Sequence, residues 1–321
     1  MREILRTTDP VRLSWLTALL AEQRIEAVVF DGHMSILEGS AGAIPRRLMV
    51  ADDDHAAAMR VLREAGEIEP DGAAAAIASA TEDRLLGGRV RLRQPATGYR
   101  AAIDPVLLAA AVPALPRGRV LDLGAGVGAA ALCYAVRVPG PDLVGLELQP
   151  DMAALAQQNA AANGLSDRVR FLAGDLLHPP AALAPDSFDH VMANPPFLEA
   201  ARADPSPYAA RAAADVEGAA RLADWIELAL ALARPKGGIT LIHRADRLDE
   251  ILARLYGHAG EVVVTPLWPH AGEAAKRVIV RARKGLRTPL RLSAGLVLHE
   301  AGGDYTAAAR AILYDAAPLA I

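Results

Sequence analysis

A single cysteine, Cys133, occurs in the 321-residue chain. No internal disulfide can form, which excludes a small disulfide-stapled secreted fold. Lysine is almost as scarce: it stands only at 236, 276 and 284, and arginine supplies the rest of the basic charge. With the abundant alanine this reads as a compositional bias, and it weakens any helix assigned on alanine alone. No uninterrupted apolar run reaches the ~18 residues of a membrane span. The start, Met-Arg-Glu-Ile-Leu-Arg, lacks the apolar core of a signal peptide, so a cytoplasmic protein without membrane contact is expected. The net charge of −4 excludes a globally basic nucleic-acid surface, so any RNA contact must be local. What is present is 52% hydrophobic and 22% charged, over a length that suits two domains with sizeable cores.

The chain is organised around Val120 to Gly128, which reads Val-Leu-Asp-Leu-Gly-Ala-Gly-Val-Gly. Val120, Leu121 and Leu123 form the short apolar run of a buried parallel strand. Gly124, Gly126 and Gly128 follow, and Ala129 to Val136 suits a helix. Strand, glycine turn and helix open a nucleotide-type βαβ unit, where backbone must approach a ligand closely. A dinucleotide fingerprint is G-x-G-x-x-G; here the third glycine comes one residue early. Asp122 stands two residues before the first glycine. It would repel a pyrophosphate and favour a ligand with a cationic centre. A nicotinamide or flavin site, and a turn with no ligand, remain open at this point. Nineteen residues after Gly128, Glu147 ends the strand Leu143 to Leu148 and can accept both ribose hydroxyls of a nucleoside. A strand at Val169 to Leu172 precedes Gly174-Asp175, and Asp175 also suits a helix cap.

Residues 1–66 read as a separate small α+β unit in βαββα order. Asp9 and Pro10 start a helix with Leu13, Leu16, Leu19 and Leu20 on one face. His33 to Ile44 is a loop, Asp52 caps a second helix, and Gly66 ends it. Paired acids, metal-ligand spacing and a nucleophile are absent from it. Residues 67–83, with Pro70, Asp71, Gly72 and an alanine run, form the linker, and 84–321 form the second domain. That domain opens with a hairpin over Leu85 to Gln94, then Gly98-Tyr99-Arg100, then Asp104 capping a helix with Pro105 in its first turn.

Asn194-Pro195-Pro196-Phe197 follows the strand Ser187 to Met192. Two prolines remove two N–H donors and fix two φ angles, and they hold the residues before them extended. The Asn194 side-chain oxygen and a backbone carbonyl can then point together into a cleft, two acceptors at fixed spacing that suit a planar amino group. Phe197 offers a face on which a flat substrate can stack. This strand should lie beside the first, where strand order reverses, so both motifs should share one pocket. Leu198 to Ala214 reads as a lip over the substrate, with Arg202 and Arg211 able to meet phosphates or simply solvent. His243 reads as a strand end. From Lys276 to Arg291 seven basic residues occur without an acid. The run suits a nucleic-acid partner, or else a solvated strand face.

Asp-x-Gly-x-Gly-x-Gly resembles motif I of the class I S-adenosylmethionine (SAM) methyltransferases, and Asn-Pro-Pro-Phe resembles their motif IV in enzymes that modify planar nitrogens. Residues 84 to 315 resemble the "small" methyltransferase class, closest to the bacterial tRNA(Val) adenine-N6 methyltransferases. Residues 1–66, with Glu38-Gly39-Ser40 and Ala43 to Arg47, resemble a small bacterial signal-transducing domain family of unassigned chemistry. The resemblance implies an α/β fold, a Rossmann-like doubly wound sheet of seven mostly parallel strands. It implies SAM as cofactor, S-adenosylhomocysteine as product and no metal. Cofactor contacts are implied at Asp122, Gly124, Ala125, Gly126, Gly128, Glu147, Leu148, Asp175, Leu176 and Asn194, and catalytic roles at Asn194, Pro195, Pro196 and Phe197. The acceptor it implies is an adenine of structured RNA, with tRNA foremost; relatives in the family methylate release-factor glutamine or ribosomal guanine-N2. A non-catalytic SAM-sensing module is the reading outside enzymes.

Overall fold

The structure is a computed structural model that describes residues 1–7, 9–30, 46–65, 67, 80–96, 100–197 and 219–321. The chain divides into two compact units, Met1–Ala75 and Ala76–Ile321.

The first unit contains β1 (Arg2–Thr7), α1 (Pro10–Glu22), β2 (Ala27–Phe30), β3 (Arg46–Val50) and α2 (His55–Glu64). The sheet order is β1-β3-β2, with both pairs antiparallel. Leu13, Leu16 and Leu20 recur at helical spacing on α1 and are buried against Leu48, Val50 and Leu62. The Asp9 carboxylate accepts from the Arg12 N–H at 3.2 Å, as a helix cap does. Asp52 does not cap α2. Its carboxylate meets the Met1 amine at 3.3 Å, and the helix starts at His55. The loop over 33–44 and Gly66 lie outside the described residues.

The second unit begins with a hairpin, β4 (Thr81–Leu85) and β5 (Val90–Gln94), so residues 81–83 are strand and not linker. Thr81 and Asp83 are held there by Arg100, whose guanidinium reaches the Thr81 hydroxyl at 2.8 Å and the Asp83 carboxylate. Composition hides this strand because Thr-Glu-Asp-Arg-Leu is mostly polar. After α3 (Asp104–Ala111) come β6 (Arg119–Leu123), α4 (Ala129–Arg137), β7 (Asp142–Glu147), α5 (Pro150–Ala162), β8 (Val169–Ala173) and β9 (Phe188–Ala193). Then follow α6 (Leu222–Leu232), β10 (Ala233–Arg244), α7 (Leu248–Leu255), β11 (Ala259–His270), β12 (Arg277–Lys284), β13 (Arg291–Leu292), β14 (Leu296–His299) and α8 (Ala307–Asp315).

The large sheet runs β8-β7-β6-β9-β10-β12-β11, with β12 alone reversed. The seven strands implied by the sequence are there, and two short strands, β13 and β14, extend the β11 edge. Successive strand residues point to opposite faces. Val120 and Met192 join α3, α4, α5 and α8 in one core; Leu121 and Val191 join α6 and α7 in the other.

Asn159 of α5 and Asn163, the residue that follows the helix, dock the hairpin. Asn159 accepts from the Arg93 N–H at 2.9 Å and donates to the Arg93 and Val127 carbonyls, both at 3.0 Å. One turn later Asn163 accepts from the Arg91 N–H at 2.9 Å and donates to its carbonyl at 2.7 Å. Their amides thus replace a neighbouring strand for β5, and Asn159 also ties the glycine loop through Val127. Asn159 is completely buried. Asn159→Ala removes three hydrogen bonds and is expected to cost about 2–4 kcal/mol, measured as lost stability in urea unfolding.

Candidate active site

The carboxyl ends of β6 and β9 are adjacent, Leu123 opposite Ala193. Strand order turns back here, β7 and β8 lying to one side and β10 to the other, so the crevice for a ligand opens at this edge. The glycine loop leaves β6 with φ of 68°, 55° and 87° at Gly124, Gly126 and Gly128. The Gly124 and Ala125 N–H groups donate to the Leu146 carbonyl at 2.8 and 2.9 Å. A Cβ on Gly124 would fall 2.3 Å from the Trp225 ring, whereas one on Gly126 would meet nothing within 4 Å. The loop is therefore packed on one side and open on the other.

Asp122 lies beneath this loop, 2% exposed, and accepts from the Ala131 N–H at 3.1 Å. A strand carboxylate set against the first-turn N–H groups of α4 complements the helix dipole. Burial raises its pKa to about 7, the Ala131 N–H opposes the rise, and the charge of Glu147 adds to it. The folded pKa lies above the unfolded one. Its contribution to stability is therefore complete below about pH 4 and is lost as pH rises through about 7. Asp122→Asn is expected to flatten the stability–pH profile between these limits by on the order of 3 kcal/mol, measured by denaturant titration at several pH values.

Glu147 ends β7 and is also buried, which raises its pKa; hydrogen bonds from Gln149 and Gly126 oppose the rise. One oxygen accepts from Gly126 N–H at 2.8 Å and the other from Gln149 N–H at 2.9 Å. A carboxylate has about four lone-pair sites, so each oxygen keeps one for a ligand hydroxyl. Leu148 beside it is 65% exposed, an apolar surface open to a flat ring. Ala125 is buried in the loop, and Leu176 packs on the α6 core. Asp175 neither caps a helix nor is free. It accepts from the Leu177 N–H at 2.9 Å and meets His178 Nδ1 at 3.0 Å, and these bonds, His178 foremost, lower its pKa.

Across the crevice, Asn194 to Phe197 leave β9. Asn194 Oδ1 is buried and has no hydrogen-bond partner among the described residues. An orphaned acceptor of this kind fits an incoming N–H donor. Pro195 is buried, and the Pro196 carbonyl lies 3.1 Å from His243 Nε2. The Phe197 ring meets His243 edge-on at 5.5 Å, with the Arg277 guanidinium 5.4 Å from its centroid. Phe197, Arg244, Asp246, Lys276 and Arg277 line a cavity of about 480 Å³. Gly98, Tyr99, Arg202, Arg211 and the segment Leu198 to Ala214 lie outside the described residues.

Asp104 is not a cap: it is the first helical residue of α3, and its buried carboxylate reaches Arg277 Nε at 2.6 Å. Most of the basic run is likewise spent inside the unit. Arg281 donates to the Ile321 carbonyl, Arg283 pairs with Glu261 at 3.3 Å, and Lys284 pairs with Asp186 at 2.6 Å. Lys276, exposed on the cavity rim, has no such partner among the described residues. Sequence reasoning passed over Arg277, Asp104 and His243 as members of this site. No local signal marks them, because each meets the turn from a distant element.

Residues 102–213 match the family model described as Methyltransferase small domain. A tRNA1(Val) (adenine(37)-N6)-methyltransferase of Porphyromonas gingivalis is 31% identical over 233 residues, covering 68% of this chain and 88% of that relative. The chain belongs to this methyltransferase family. A relative of the same name from Aeromonas hydrophila is 32% identical, over 64% of this methyltransferase and 85% of its own length. A crystal structure of a predicted O-methyltransferase from Agrobacterium tumefaciens superposes with a TM-score of 0.56 at 30% identity, covering 68% of this chain and 99% of that one. A release factor glutamine methyltransferase of Deinococcus radiodurans is 39% identical, but over 31% of either chain. Residues 1–66 match the family described as "Putative prokaryotic signal transducing protein". The methyltransferase uses SAM as its cofactor. The open side of Gly126 and the spare lone pairs of Glu147 fit that group. Among the described residues no helix is long and apolar enough to cross a membrane.

Proposed function

We propose that this methyltransferase modifies N6 of an adenine in structured RNA, with tRNA as the foremost candidate and the cytoplasm as its location. The observation that carries the reading is the buried Asn194 Oδ1, unpartnered among the described residues, on the turn that carries Phe197. The relatives named for tRNA adenine-N6 methylation support it over most of their length, whereas the release-factor relative matches in part. In this reading Asp122 and the glycine loop, Glu147, Leu148, Asp175 and Leu176 serve the cofactor.

Bound SAM supplies an electrophilic methyl group. The protein's task is to present the acceptor nitrogen. An exocyclic amino group has two N–H donors and a lone pair delocalised into its ring. Asn194 Oδ1 accepts from one N–H and the Pro195 carbonyl from the other, which favours a more tetrahedral, nucleophilic nitrogen. Phe197 stacks on the base, which must be unstacked from the RNA to enter. Fixed alignment then provides much of the rate, and the proton leaves after transfer.

The cavity supports a nucleotide in one further respect. Arg244 is paired with Asp246 and Arg277 with Asp104, so among the described residues Lys276 is the uncompensated charge on its rim. One cation suits one phosphodiester. Lys276→Ala is expected to raise KM for RNA about three- to tenfold and to reduce the salt dependence of that KM by about one counterion, with SAM affinity as before. Steady-state kinetics at several salt concentrations check this. The reading itself is tested by incubating the enzyme with labelled SAM and either total RNA or total protein. Label in RNA is expected. Label confined to protein turns the assignment to a glutamine acceptor, and transfer to neither would leave a SAM-sensing module.

A further inference from the structure

We infer that His243 is a positioning residue: its Nε2–H holds the Pro196 carbonyl, its ring edge orients Phe197, and together these fix the turn that carries Asn194. The inference rests on the reading of that turn as the acceptor clamp.

β9 pairs with β10 as far as Ala193, opposite Leu241. Beyond that point Pro195 and Pro196 offer no N–H, so backbone pairing with β10 cannot continue. The carbonyls remain, and a buried carbonyl needs a donor. β10 runs on to Arg244 because β12 pairs its other edge, His243 opposite Val278. This carries the His243 imidazole alongside the turn, where Nε2 lies 3.1 Å from the Pro196 oxygen. A side chain thus supplies the hydrogen bond that the prolines have removed from the ladder.

The tautomer follows from the partners. A carbonyl only accepts, so Nε2 carries the hydrogen. Nδ1 is buried without a partner among the described residues and is the bare nitrogen. The other tautomer would set a lone pair against the Pro196 oxygen. The cation would bury a charge with an unpaired N–H; burial accordingly lowers the His243 pKa to about 4, with Arg247 adding to the fall and the Pro196 carbonyl, Glu250 and Asp246 opposing it. The imidazole is neutral wherever the enzyme works near neutrality. It is fully buried, so it cannot itself touch solvent-borne substrate. Its influence passes through Pro196 and through Phe197, whose ring it meets at 86°. Arg277, anchored by Asp104, is a second group against that ring.

The test uses the full chain with 15N-labelled histidine. The resonance lost in His243→Phe is expected to be a neutral Nε2–H tautomer at pH 7 in the wild type. His243→Phe keeps an aromatic ring and removes the donor; His243→Gln restores an N–H. kcat should fall on the order of tenfold to hundredfold in the Phe variant and recover most of that loss in the Gln variant, with the Kd for SAM unchanged in both. A neutral Nδ1–H tautomer, a cation at pH 7, a fully active Phe variant, or a Gln variant as impaired as Phe would each overturn the inference. If neither variant folds, the His243 resonance is assigned in the wild type through its contact with the Phe197 ring, and its tautomer decides. Asn194→Ala assayed alongside separates the two claims: wild-type turnover in that variant defeats the acceptor clamp, while the tautomer and the Gln–Phe contrast still judge His243.

Discussion

Asn194→Ala is expected to lower kcat by roughly two to three orders of magnitude, the scale of losing one preorganised polar contact at a reacting group. The Kd for SAM should change far less. Asn194 Oδ1 is buried with no partner among the described residues, so its desolvation is uncompensated until an N–H arrives. The two prolines behind it hold the backbone, and the Pro196 carbonyl is itself held by His243. Deleting the amide therefore removes the acceptor without loosening the turn. Single-turnover kinetics with RNA, beside calorimetric titration of SAM, separate chemistry from cofactor binding. Turnover within about threefold of wild type, less than ~1 kcal/mol of barrier, would remove Asn194 from the mechanism.

The second large effect is expected at Gly124. Its φ of 68° strains any L side chain, and the Trp225 ring occupies the place of a Cβ. Trp225 is buried in the α6 core among Leu121, Leu123 and Val191 and has little room to retreat. Gly124→Ala should cost about 2–5 kcal/mol from left-handed backbone and overpacking together. It should weaken SAM by more than tenfold, because the loop must shift to relieve the contact. Gly126→Ala is the control. Its φ of 55° carries the same backbone strain, but its Cβ would face open space. The control should lose less stability, and thermal unfolding of the two variants measures the difference.

Much of this was legible in the chain because it is written locally. Val120 to Gly128 carries strand, turn and helix in nine consecutive residues, and Asn194 to Phe197 constrains its own backbone through proline. The α1 stripe of Leu13, Leu16 and Leu20 is likewise a local period, and it is the buried face. What stayed hidden depends on partners far along the chain. Asp104 before a helix proline has every mark of a cap, yet Arg277 on β12 claims it. Asn159 and Asn163 show a helical spacing, but nothing local reveals that the strand β5 meets their amides. The run from Lys276 to Arg291 looks free for phosphate because Glu261 and Asp186, which neutralise Arg283 and Lys284, are remote in sequence. β4 was absorbed into the linker because its polar residues are held by Arg100 and Gln94 and not by a hydrophobic face.

The central claim is that one crevice between β6 and β9 holds SAM on the glycine loop and an adenine amino group at Asn194. Nucleoside mass spectrometry tests it most directly. tRNA from cells lacking this gene is incubated with SAM and either the wild-type enzyme or Asn194→Ala, then digested. The account predicts N6-methyladenosine with the wild type and none with the variant. N2-methylguanosine, equal N6-methyladenosine with both proteins, or methyl found only on protein glutamine would contradict it.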